Sequence, residues 1–230
     1  MNALAQVPAD FLHALGTLRK AQCRSELRLA EIPAPSRLAP YAVALGAEVF
    51  SHSAQGGRTP IHGPAAMAFS RGDTSSASEA SAASRAAGGA ADEDDELATG
   101  RFILLHDPDG SAVWDGEFRI VTYIRAQLDA EMGNDAMLGS VAWTWLVEAL
   151  EGHSAQYRAA GGTATRILSE SFGTLAERPE TIDIELRASW TPASSDAQAH
   201  LEAWCDMVCT FAGLPPLPPG VTPLPNRRLT

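Results

Sequence analysis

Hydrophobic residues recur along this chain at two spacings, one typical of helices and one typical of strands. Near the N-terminus, four apolar residues share one face at helical spacing: Phe11, Leu12, Leu15 and Leu18. Pro8 precedes them and suits the first helical position, where its missing N–H has no intrahelical partner to lose. The pattern therefore predicts a helix from Pro8 to Leu18.

Alternation of apolar and polar residues predicts two strands in the next part of the chain. The first covers residues 26–32 and is closed by Pro33 and Pro35, which cannot continue a paired strand. The second covers residues 41–50. Each strand is expected to bury one face and expose the other.

Four further strands are predicted in the second half of the chain, as two hairpin-prone pairs. A turn at residues 106–110, which contains Pro108 and an Asp-Gly step, separates the first pair. A Gly-Gly step at 161–162 opens the second pair. The predicted strands cover residues 102–105, 117–128, 163–172 and 181–190.

A middle helix is predicted at residues 141–150, which are apolar on nearly all sides, as is typical of a buried helix. Asp135 or Ser140 can cap its start. Trp143 and Trp145 lie about 200° apart around such a helix, so they cannot both face one sheet. We expect one to pack against the strands and the other against a second helix or a partner.

A last helix is indicated by four apolar residues at helical spacing: Leu201, Trp204, Val208 and Phe211. Ser195 and Gln198 predict a capping box at its start, and Gly213 is a suitable stop. Helices and hairpin-prone strands in this order predict a single α+β domain over residues 1–230, with an antiparallel sheet of about six strands and helices packed on one face. This order of helices and strands is similar to that of small acidic secretion chaperones, a similarity of fold alone.

Two segments differ from this pattern in composition. Residues 51–97 consist mainly of Ser, Ala, Gly, Pro and acidic residues, with too little apolar surface to offset the entropy of ordering, so they predict a disordered acidic insert. Residues 215–230 predict a proline-rich, extended tail. Either segment could serve in an interaction, and the sequence leaves this open.

Composition and charge narrow the classes of function. No apolar run is long enough to span a membrane. The net charge of −11 argues against broad nucleic-acid binding, which requires a basic surface. The N-terminus lacks the pattern of a signal peptide, and an odd number of cysteines, three, argues against a disulfide scaffold. We therefore expect a cytoplasmic protein.

No motif for catalysis, metal binding or a cofactor stands out. The chain has neither the G-x-S-x-G motif of a nucleophilic serine nor a glycine-rich phosphate loop. Cys205 and Cys209 lie one helical turn apart and Cys23 is distant in sequence, which favours core cysteines over a zinc site. Three aspartates near a glycine favour turn chemistry over a calcium loop: Asp107, Asp109 and Asp115.

Arginines on the predicted strands form the candidate ligand-binding site. If their faces coincide, they would form a cationic stripe beside a tyrosine that could hold an anionic ligand. The alternative, which we favour, is pairing across strands with Glu117, Glu170 and Glu185. The candidate ligand-binding residues are Arg119, Tyr123, Arg125, Arg166, Glu170 and Arg187.

Many short motifs, in order over residues 8–50 and 97–221, resemble an actinobacterial family, the domain of unknown function numbered three thousand. The resemblance implies a cytoplasmic protein whose gene lies beside a ribonuclease D-like gene. It implies no functional residues, because the family has no established activity. The motifs are Leu38-Ala39-Pro40-Tyr41, Ala98-Thr99-Gly100-Arg101, Leu105-His106-Asp107-Pro108, Trp114-Asp115-Gly116, Phe118-Arg119, Trp143-x-Trp145-Leu146, Gly161-Gly162-Thr163, Ser169-Glu170-Ser171-Phe172-Gly173, Leu186 to Pro192 and Gly213-Leu214-Pro215-Pro216.

The sequence therefore favours a non-catalytic binding or adaptor domain for a protein, peptide or small anion. An enzyme with a pocket of Arg119, Arg166 and Glu170 is the first alternative. An accessory factor in RNA processing is the second, and it rests on gene neighbourhood alone.

Overall fold

The computed structural model describes residues 7–50, 96–128, 133 and 135–214. The strands are β1 Leu27–Ile32, β2 Tyr41–Phe50, β3 Glu96–Ser111, β4 Gly116–Leu128, β5 Tyr157–Ser169 and β6 Thr181–Pro192. These six strands form one antiparallel sheet in the order β1-β2-β3-β4-β6-β5, which confirms the predicted α+β class. Strands β1 to β4 follow one another across the sheet, and β6 lies between β4 and the edge strand β5.

Three α-helices pack on one face of this sheet: α1 Ala9–Leu18, α2 Leu138–Gly152 and α3 Gln198–Phe211. The ring of Trp204 in α3 packs on Phe102 of β3, with ring centroids 5.5 Å apart. Gly100, on the same strand, makes room for the indole, because a Cβ at that position would lie 2.6 Å from it. The absence of a side chain at Gly100 therefore lets α3 approach the centre of the sheet.

The two tryptophans of α2 point to different neighbours, as their spacing requires. Trp143 lies over Gly162 of the edge strand β5, where a Cβ would come within 2.8 Å of the indole. Trp145 makes an edge contact with Phe211 of α3, with ring centroids 5.6 Å apart. Both indoles are half-buried, so α2 is held by the sheet on one side and by α3 on the other.

The β3–β4 hairpin is longer than the sequence indicates. The turn predicted at residues 106–110 is wrong: β3 continues through Ser111, and the chain turns at residues 112–115. A register shift between His106 and Ser111 absorbs the proline and glycine, and Gly110 takes a φ of +73° there. The Asp-Gly step thus produces an irregularity within a strand, where the sequence suggested its end.

Strand β5 and the helix caps also depart from the sequence expectations. β5 begins at Tyr157, so the Gly-Gly step that was predicted to precede the strand lies inside it. The sequence did not indicate this start, because nearly all side chains of β5 are exposed and show no apolar alternation. The predicted caps of α2, Asp135 and Ser140, are also wrong: Met137 is the N-cap, no side chain caps the helix, and Asp135 Oδ1 accepts the N–H of Met137 just before its first turn. No side chain of its own caps α3 at Ala197, so the predicted capping box is wrong.

Residues 51–95 and 215–230, which include nearly all of the predicted insert and the predicted tail, lie outside the described residues. Glu96 and Leu97, assigned to the insert from composition, belong to β3 instead. No helix among the described residues is long and apolar enough to cross a bilayer.

Candidate functional site

The face of the sheet opposite the helices carries most of the candidate residues. We call it the open face and define it by nine residues of β3, β4 and β6 whose side chains point away from the helices: Arg101, Ile103, Arg119, Val121, Tyr123, Arg125, Asp183, Glu185 and Arg187. Strand register aligns them in rows that run across the sheet, because paired residues on neighbouring strands point to the same side.

One row of the open face is apolar. Ile103 and Val121 are register partners on β3 and β4, and the row continues through Ala44 of β2 to Ile32 of β1. Ile103, Val121 and Ile32 are half-buried, although no helix of the described chain covers them. The open face therefore offers apolar surface as well as charge.

The neighbouring row contains an arginine–tyrosine–arginine set, in which Tyr123 is the register partner of both Arg101 and Arg187. The guanidinium of Arg187 lies 5.5 Å from the centroid of the Tyr123 ring and 2.7 Å from Glu185 Oε2. Tyr123 donates its hydroxyl proton to Glu185 Oε1 over 2.9 Å. Burial, together with this hydrogen bond, raises the pKa of Tyr123 to about 12, so the phenol remains a neutral donor.

Two arginines of the stripe are neutralised within the sheet. Arg125 Nη2 lies 2.6 Å from Asp183 Oδ2, and this bond raises the pKa of Arg125. Arg187 pairs with Glu185 on its own strand. Pairing with carboxylates, the alternative favoured from the sequence, therefore holds for these two arginines. Glu185 is one of the predicted partners, whereas Asp183 takes the place of Glu117 and Glu170.

Arg119 differs from its neighbours because all of its hydrogen-bond acceptors are neutral. It donates to Ser189 Oγ over 2.6 Å, to Thr191 Oγ1 over 3.0 Å and to the carbonyl of Ala159 over 2.9 Å. Burial lowers its pKa. Within the described part of the chain no carboxylate pairs with this half-buried cation, which three contacts hold in a fixed position.

Arg166 and Glu170 do not lie on the open face. Arg166 is the register partner of Ile184, whose side chain belongs to the helix-facing core, so it points to the opposite side from Arg119. It donates to the carbonyls of Gly133 and Asp135 and so positions the segment before α2. Glu170 is exposed after the end of β5. The shared stripe of four arginines is therefore reduced to Arg119, Arg125 and Arg187.

Sequence reasoning missed Arg101. The predicted strand began at Phe102, which placed Arg101 outside the sheet, whereas β3 begins at Glu96. The alternation of Thr99, Arg101 and Ile103 with small or apolar residues between them would have indicated that the strand starts earlier and includes Arg101. Arg101 is exposed and makes no ion pair with any described residue.

The aspartate and cysteine clusters named from the sequence make local structural contacts. Asp107 Oδ1 accepts the N–H of Asp109 over 3.1 Å within β3, and Asp115, in the turn after β3, binds Arg158. Cys205 and Cys209 are buried in the core, as expected. Over residues 7–50, 96–128, 133 and 135–214, no three His, Cys, Asp or Glu side chains are grouped so that they could hold a metal ion.

The chain matches a known protein family. The model of a family described as a protein of unknown function, DUF3000, matches residues 7–222, which include every helix and strand described above. No curated protein and no solved structure matches the chain.

Proposed function

The chain belongs to the DUF3000 family, and we propose that it is a non-catalytic binding domain whose open face takes an acidic peptide segment of a protein partner. The observation that carries this proposal is the state of Arg119, a half-buried cation that is fixed by three neutral acceptors and lacks a carboxylate among the described residues. A carboxylate of the partner would supply the missing counter-ion.

Charge complementarity favours an acidic ligand. The chain as a whole carries a net charge of −11, yet Arg101 and Arg119 are held on one face without a carboxylate partner in the described chain. Arg101 lies on β3 and Arg119 on the adjacent strand β4, where their register partners are Tyr123 and Leu105, respectively. Hydrogen bonds between arginine and a carboxylate are among the stronger ones in proteins.

The apolar row favours a peptide over a free anion. Ile103 and Val121 are half-buried side by side, on the same face as Arg101 and Arg119. A small anion would contact only the guanidinium groups, whereas a peptide that alternates acidic and apolar side chains would contact both features. Apolar contacts flanked by charged ones are the usual composition of a protein interface.

The geometry gives less support to an enzyme built on the pocket suggested from sequence. Arg119 lies on the open face, Arg166 lies on the helix side, and Glu170 follows the end of β5. These three groups do not converge on one substrate. No observation on the described residues favours a role in RNA processing.

Peptide titration tests the proposal. Fluorescein-labelled peptides with alternating Glu and Leu are titrated with the full chain and followed by fluorescence anisotropy, beside matched peptides with Gln in place of Glu. We expect saturable binding of the acidic peptide only, weakened at least about tenfold by Arg101→Glu or Arg119→Gln, since tenfold corresponds to roughly 1.4 kcal/mol.

Arg178→Glu is the matched control, because Arg178 is exposed in the β5–β6 connection, outside the open face. It should leave the affinity within about twofold, which is roughly 0.4 kcal/mol. Equal binding of the neutral peptide, or equal weakening by Arg178→Glu, would refute a specific acidic site on the open face.

A further inference from the structure

Two thiols from distant parts of the chain meet beside α3. Cys23 lies in the connection between α1 and β1, and its Sγ atom is 2.7 Å from Sγ of Cys205 in the middle of α3. Cys23 is half-buried, whereas Cys205 is fully buried. From the sequence alone Cys23 was considered distant, and the contact arises because the chain folds back over 182 positions.

We propose that Cys23 and Cys205 form a reversible thiol-oxidation site, at which a small-molecule disulfide converts the two thiols into an intramolecular disulfide. An S–S bond is about 2.05 Å long. The two sulfur atoms therefore need to approach each other by only roughly 0.7 Å to reach bonding distance. The third cysteine of the chain, Cys209, remains a free thiol in this reaction.

Hydrogen bonds on both sides of Cys23 fix it against α3. The N–H of Gln22 donates to Glu202 Oε1 over 2.8 Å, and Glu202 lies one turn before Cys205 on the same helix. On the other side, Arg24 Nη1 donates to the carbonyl of Leu214, just beyond the end of α3, over 2.7 Å. Because both neighbours are held, the two sulfurs remain close together, which favours bond formation within one chain.

The different exposure of the two thiols sets the order of the steps. Cys23, the more accessible thiol, loses its proton and its thiolate attacks one sulfur of the small disulfide. The S–S bond of the reagent breaks, one reagent thiolate leaves and takes up a proton, and Cys23 becomes a mixed disulfide. Burial raises the pKa of Cys205 well above the ordinary value, which makes Cys205 a poor first nucleophile.

Cys205 completes the reaction. Its thiol loses a proton as its sulfur attacks the Cys23 sulfur of the mixed disulfide, and the second half of the reagent leaves as a thiol. Two protein thiols are thus oxidised and one reagent disulfide is reduced to two thiols, which carry the two protons. An excess of a reducing dithiol reverses the sequence.

The bond would join the α1–β1 connection to α3 across a loop of 182 positions. Closing a loop of that length restricts the unfolded chain far more than the folded one, so the oxidised protein should be the more stable form. We expect its Tm to rise by about 10 °C.

The test uses the full chain with oxidised glutathione as the oxidant. Intact mass spectrometry should show the loss of two hydrogens with one free thiol remaining, and proteolytic mapping should link the peptides of Cys23 and Cys205. Excess dithiothreitol should restore the reduced mass and the original Tm. Three free thiols after prolonged oxidation, or a link to Cys209, would overturn the proposal.

Three single variants separate the steps. Cys209→Ala, the matched control, should still form the bond, because Cys209 is a buried thiol of the same helix that the reaction does not use. Cys205→Ala should stop at a glutathione adduct on Cys23, and Cys23→Ala should react at neither remaining thiol. If Cys205→Ala fails to fold, Cys23→Ala and the peptide map of the unaltered chain decide the question, because oxidation of Cys205 without Cys23 contradicts the order proposed.

Discussion

The hydroxyl of Thr17 in α1 accepts a hydrogen bond from the backbone N–H of Ala197 at the start of α3, over 3.0 Å. The same hydroxyl donates to the carbonyl of Ala14 over 2.8 Å, and Thr17 is buried. The first N–H groups of a helix have no intrahelical partners. The N-terminal helix therefore supplies the acceptor for Ala197, whereas Asp196 Oδ1 accepts the next N–H, that of Gln198. Ser195, the predicted cap, contacts His13 instead.

Replacing Thr17 by valine should destabilise the protein by about 1–2 kcal/mol, because the N–H of Ala197 would then be buried without an acceptor. Equilibrium urea unfolding measures the change. Thr210→Val is the control, since that hydroxyl only donates, to the carbonyl of Asp206, and caps no helix start. A loss for Thr17→Val no greater than that for Thr210→Val would show that the contact contributes nothing.

Gly100→Ala should cost about 1–3 kcal/mol, since the new methyl group would lie 2.6 Å from the Trp204 ring and force a repacking of the core. Gly161→Ala serves as the comparison, because a Cβ there meets nothing within 4 Å. Thermal unfolding of both variants tests the difference. Similar midpoints for the two proteins would mean that α3 does not depend on close approach to β3.

Stability should decrease as the pH falls from about 6.5 toward about 4, in part because of His200. Burial lowers the pKa of His200 from 6.5 to about 4, and its Nδ1 atom accepts the indole N–H of Trp190. Between these values the unfolded chain binds the proton and the folded chain does not. The contribution is therefore full above pH 6.5 and is lost toward pH 4, up to on the order of 3 kcal/mol.

The variant His200→Gln keeps an acceptor for Trp190 and removes the titration. Urea unfolding between pH 4.5 and 7.5 should therefore show a shallower pH dependence for this variant than for the unaltered chain. Parallel pH profiles for the two proteins would exclude His200 as the titrating group.

Replacing residues 53–93 by a short Gly/Ser linker should leave unfolding cooperative and should not lower its free energy. Phe50 and Glu96 are register partners on β2 and β3, so the two ends of the segment between them meet. A shorter connection costs less loop-closure entropy, by roughly 1–2 kcal/mol. Differential scanning calorimetry measures the result, and a broad, non-cooperative transition would show that the segment is required for the fold.

Local pattern was sufficient where a strand buries one face. β2 was predicted with its observed bounds, and the alternation along β4 placed Arg119, Tyr123 and Arg125 on one side. Pattern was insufficient where partners come from elsewhere in the fold, as in the cap that Thr17 provides. The face on which Arg166 lies depends on the register of β5 against β6, which includes a shift near Gly161 that no local sequence signal specifies.

Strand β5 is synthesised before β6, yet among the described strands it is hydrogen-bonded only to β6. As the chain leaves the ribosome, β1 to β4 can join one another in order, whereas β5 must wait for the next strand to emerge. A waiting strand with an apolar face would invite association with other nascent chains. Seven of the thirteen residues of β5 are glycine, alanine or threonine, and nearly all of the strand is exposed, so it presents little apolar surface while it waits for β6.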